Sequence, residues 1–82
     1  MKIGDVVIPN NQNLLNKILH CGSGRYTHAI VGSLDPFIIV SDSGDMVWSC
    51  TWEPHELTAL CQASETIVNR VINRLKNDRL IK

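Results

Sequence analysis

The stretch "YTHAIVGSLDPFIIVSDSGDMVWSC", residues 26 to 50, is rich in β-branched and aromatic residues, and its reading decides the fold. From Tyr26 to Gly32 the chain alternates. Tyr26, His28, Ile30 and Gly32 fall on one side, and Thr27, Ala29 and Val31 on the other, the two-residue period of a strand. Leu34-Asp35-Pro36 reads as a turn, because proline biases the residue before it away from helix. Phe37 to Ser41 reads as a second strand, "SDSGD" from Ser41 to Asp45 as a loop of turn formers, and Met46 to Trp52 as a third strand. Together they predict an antiparallel meander.

Outward from this stretch, "KIGDVVIP", residues 2 to 9, predicts a first strand, with Val6, Val7 and Ile8 as strand formers and Pro9 ending it. After Asn10, the apolar residues Leu14, Leu15, Ile18 and Leu19 fall on one face of a short helix stopped by Gly22 and Gly24. "EPHEL", residues 53 to 57, has Pro54 where a single 3₁₀ turn would start, and a short strand is expected over Thr58 to Cys61. The clearest helix runs to Asn77 from Gln62 or Ser64. Ile67, Val68, Val71, Ile72 and Leu75 form its apolar stripe, Ser64 suits its N-cap and Glu65 its first turn.

Eighty-two residues make one domain, and a chain this short buries only a small core. An apolar fraction of 44% and a charged fraction of 20% are those of an ordinary globular protein rather than a disordered or fibrous one. No apolar run approaches the ~20 residues of a membrane helix, and no signal-peptide pattern follows Met1. A cytoplasmic protein with no membrane association is therefore expected. Cys21, Cys50 and Cys61 are odd in number and lack CxxC spacing, which argues for free thiols. With His20, His28 and His55 they show no zinc-finger spacing either, so neither a metal nor a cofactor is expected.

The net charge is zero but unevenly divided. Residues 1–69 carry three basic and seven acidic residues, and residues 70–82 five basic and one acidic. An acidic body thus carries a basic end, part of which is the ordinary preference for cations near a helix C-terminus.

The element order, a strand, a long excursion, three meandering strands, a 3₁₀ turn and a last short strand, resembles an SH3-like barrel over residues 2–61. That resemblance implies an α+β fold, a small antiparallel barrel with a short helix in its first long loop. The amphipathic helix over 62–78 and a basic tail over 79–82 follow it. "KIGDVVIP", "AIVGSLDPFIIVSDSGDMVWSCT" and "EPHEL" also resemble a group of short bacteriophage proteins with a lone domain of this kind, which would place the protein in the host cytoplasm. The front half, "GDVVIP" followed by "LLNKILHCGSGRYTHAIVG", is similar to permuted papain-like hydrolases of the NlpC/P60 superfamily. Carried over, His28 would be the base and Cys61 the thiolate.

Against that enzymatic reading, only 32 residues separate His28 from Cys61, and no polar group is evident to orient the imidazole. A histidine on an alternating strand is more often a satisfied structural side chain. Nucleic-acid binding, as in barrels of the KOW kind, would fall to Arg70, Arg74, Lys76 and Arg79 on the last helix. The reading favoured here is a non-catalytic module that binds a protein with a basic surface, modulating or inhibiting it. Asp35, Asp42, Asp45, Glu53 and Glu56 would steer the encounter, with Trp48 or Trp52 as an aromatic anchor. The apolar stripe of the last helix could also pair two copies of the chain.

Overall fold

The computed structural model describes residues 1–10, 28–47 and 52–81. Strand β1 spans Asp5–Pro9, β2 Ala29–Leu34, β3 Phe37–Val40 and β4 Leu57–Gln62, with a 3₁₀ turn over Pro54–Glu56 and a helix α1 over Glu65–Asn77. The four strands form one antiparallel sheet in the order β3-β2-β1-β4, so the fold is a small α+β unit. The short helix expected after Asn10 and the start of the second strand at Tyr26 lie outside the described residues.

One feature departs from the sequence reading. Among the described residues the sheet is open, with β3 and β4 at its edges. Of the third meander strand expected over Met46 to Trp52, Met46 forms an antiparallel bridge with Val40, and residues 48–51 lie outside the described residues. Val47 and Trp52 both belong to the core while Met46 is exposed.

Apolar side chains cover both faces of β2 and β3. On one, Val7, Ala29, Val31 and Ile39 pack with Val47, Trp52 and Leu57. On the other, Val40 packs against Val71 and Leu75 of α1, flanked by Ile38, Ile67 and Ile81. The stripe read from the sequence thus meets the sheet of its own chain. Helix α1 begins where Ser64 Oγ accepts from the Ile67 N–H at 3.3 Å, a standard N-cap. At its other end the Leu80 N–H donates to the Leu75 carbonyl at 2.9 Å and Arg79 adopts φ +60°, the left-handed turn that commonly closes a helix.

The chain folds back after Asn77, and Ile81 packs against the Val40, Val71 and Leu75 cluster.

The start of β1 is clasped to its neighbours. Gly4, at φ +94°, donates its N–H to Val31 and accepts from the Ala63 N–H, both at 2.8 Å. The buried Asp5 carboxylate accepts from the Lys2 N–H at 2.8 Å and from the Gln62 side-chain amide. The Gly-Asp pair that reads as strand punctuation therefore joins the N-terminus, β1 and the end of β4.

Candidate interaction surface

The acidic residues proposed as a recognition surface do not form one patch. Asp35 is exposed in the β2–β3 hairpin. Asp42 and Asp45 lie at the far end of β3, in a loop organised by the buried Ser41. Its Oγ accepts from the Ser43 N–H at 3.2 Å and the Asp45 N–H at 3.1 Å. Glu53 precedes and Glu56 ends the 3₁₀ turn that leads into β4, on the opposite edge of the sheet.

Of these, Asp45 is already engaged. Arg74 Nη1 stands 3.1 Å from Asp45, and Arg74 Nε donates to Asp78 at 3.0 Å. The hydrogen bond to Asp78, and then the charges of Asp78 and Asp45, raise the Arg74 pKa above its ordinary value. Arg74, proposed as a phosphate contact, therefore sits between two carboxylates. Asp42 stays exposed, with Ser43 Oγ at 3.5 Å from its carboxylate.

Trp52 is only 5% exposed and packs in the core, so it is not the exposed anchor; Trp48 lies outside the described residues. The 3₁₀ turn is held locally. The Glu56 carboxylate accepts from the Glu53 N–H at 2.9 Å. Asn10, at the end of β1, donates its N–H to the Glu56 carbonyl at 3.2 Å and its side-chain amide to the His55 carbonyl at 2.8 Å. These bonds aim the turn at the start of β4.

A feature the sequence reading passed over is β4 itself. It pairs with β1 on one side, and no described strand pairs with the other. After Leu57, all of Thr58, Ala59, Leu60, Cys61 and Gln62 are exposed. Leu60 is the extra residue of a bulge, since Val6 faces Cys61 while Val7 faces Ala59. No charge occurs between Leu57 and Gln62, whereas natural sheet edges are commonly guarded by charge or proline. Solvent exposure of an otherwise ordinary "LTALCQ" was not visible before the strand's place in the sheet was known.

His28 and Cys61, the pair of the hydrolase reading, lie on either side of β1. Cys61 faces Val6, which faces Ile30, and His28 is two residues further along and exposed. At standard strand spacing this sets their Cα atoms on the order of 12 Å apart. Among the described residues no group of three His, Cys, Asp or Glu side chains could hold a metal ion, and no helix is long and apolar enough to cross a membrane.

Comparison with protein-family models, with curated proteins and with solved structures gave no match.

Proposed function

We propose that the protein is a non-catalytic binding module that accepts an extended, basic segment of a partner protein along β4. The observation that carries this reading is the uncharged edge of β4, which no described strand pairs, with Glu53 and Glu56 at its start. An unpaired strand edge offers a row of backbone donors and acceptors to an added strand. Hydrogen bonds supply affinity there, and the acidic pair supplies direction and encounter rate for a cationic segment. Asp42, and Trp48 if exposed, would extend the contact surface; Asp35 lies at the other end of the sheet. The placement of β1 between the second and last strands is also the neighbour order of an SH3-like barrel, a fold built around such exposed surfaces. The likeness to short phage proteins would make the partner a host protein.

The test is titration of the labelled protein with an eight-residue peptide alternating lysine and valine, against the same pattern in glutamate and valine. The basic peptide should slow amide exchange along Thr58–Cys61, and Glu53→Lys with Glu56→Lys should abolish the effect. Leu60→Pro, on the outer edge, should do the same while leaving α1 intact. Equal protection by both peptides, or none by either, would reject this reading. So would salt-sensitive binding of a short nucleic-acid duplex that survives the Glu53 and Glu56 substitutions.

A further inference from the structure

At the hairpin end of β2 and β3, the last turn of α1 and the residues after it bound a groove of about 800 Å³. Ile3, Ile72, Leu80 and Ile81 give it apolar walls, and Ser33, Asp35, Lys76 and Arg79 give it polar groups. Its size is that of a small-ligand site.

Three observations bear on what it holds. The first is charge. The ion pairs among the described residues are those of Arg74 with Asp45 and Asp78, which leaves Asp35, Lys76 and Arg79 unpaired around one apolar floor. The second is Ser33, which brings a hydroxyl to the groove wall. The third is Arg79, whose φ of +60° is a conformation glycine adopts at much lower cost. A side chain that reaches the groove stands where the backbone would be less strained without one.

We propose that this groove binds a short apolar peptide in its free, zwitterionic form. The ammonium faces Asp35, the carboxylate lies between Lys76 and Arg79, and the apolar side chains rest on Ile3, Ile72 and Ile81. Chemistry selects this class over its neighbours. An anion with a plain hydrocarbon tail would leave the Asp35 carboxylate against its chain with no counter-charge. Among the described residues neither cation pairs with Asp35, so a ligand that carries both charges can bridge them, and a dipeptide, with termini roughly 7 Å apart, adds two side chains for the apolar walls. The groove lies at the opposite end of the sheet from Glu53 and Glu56, so this site is independent of the β4 edge.

The experiment uses the full chain, labelled with ¹⁵N, titrated with leucyl-leucine, its N-acetyl derivative, its C-terminal amide and decanoate. Leucyl-leucine should shift the resonances of Ser33, Asp35, Ile72, Lys76 and Ile81. Blocking either terminus should weaken binding about tenfold or more, the scale of a lost charge-assisted hydrogen bond. Asp35→Asn should erase the penalty for acetylation, and Lys76→Gln with Arg79→Gln the penalty for amidation. Arg79→Gly should weaken binding of the free dipeptide while melting no lower than the parent, which separates lost binding from lost folding. The proposal is overturned by absence of shifts at millimolar peptide, by affinities indifferent to the termini, or by decanoate binding as tightly as the dipeptide.

Discussion

Leu75 lies so close over Gly32 that a Cβ placed on that glycine would stand 2.5 Å from Leu75 Cδ1 and 3.1 Å from Val71 Cγ1. The absent side chain is what lets α1 settle on β2. Gly32→Val should therefore lift the helix and cost about 1–3 kcal/mol, the range for overpacking a core. In a thermal melt, combining it with Leu75→Ala should recover part of the loss that the two changes show separately, a coupling expected only of residues in contact.

Val71 is fully buried on the same face. Val71→Asp places an unpaired carboxylate against Val40 and Leu75 and should destabilise by about 3 kcal/mol or more. An unchanged melting temperature would show that the stripe faces solvent.

Truncation after Asn77 removes Ile81 and the Leu80 to Leu75 hydrogen bond. Loss of a half-buried isoleucine should lower stability by about 1–2 kcal/mol. Denaturant unfolding of the truncated chain against Arg79→Ala with Lys82→Ala separates the apolar contribution from that of the charges, which should be near zero.

Gly44 adopts φ +87°, and a Cβ there would meet Arg74 Cγ at 2.6 Å. Gly44→Ala should cost about 1–2 kcal/mol in backbone strain and push Arg74 away from Asp45. The sign of the pH effect is set by Arg74. A raised folded-state pKa gives a contribution that is complete below the unfolded value and is lost only as pH rises through the folded one. The stability difference between the parent and Arg74→Gln should thus stay flat between about pH 6 and 9 and shrink only in strong alkali.

Where the sequence was legible, one residue type at one spacing sufficed. Ile67, Val71 and Leu75 marked the packed face of α1, Pro54 marked the 3₁₀ turn, and the alternation around Ile30 marked β2. The run Phe37–Val40 placed a strand, but an apolar run buried on both faces does not say which neighbour it has. Closure of the sheet was not legible either, because alternation marks a strand without naming the strand it pairs with. The split of the acidic residues had the same origin. Asp35 and Asp42 are near in sequence yet bracket a strand, so they lie at opposite ends of β3. The groove escaped notice because Ser33 and Lys76 meet only through tertiary packing.

The open side of β4 has a consequence for the behaviour of the molecule at high concentration. Backbone groups cannot tell a guest strand from a second copy of β4; only side chains can, and between Leu57 and Gln62 none carries a charge. Two copies aligned in parallel would bring Glu53 and Glu56 of each together, and repulsion would part them. Antiparallel, the two acidic pairs fall at opposite ends, and among the usual guards of a sheet edge the strand itself offers the Leu60 bulge but no charge. If β4 takes up a basic segment as proposed, self-pairing competes with it, and the apparent affinity for that segment should fall as the protein concentration is raised.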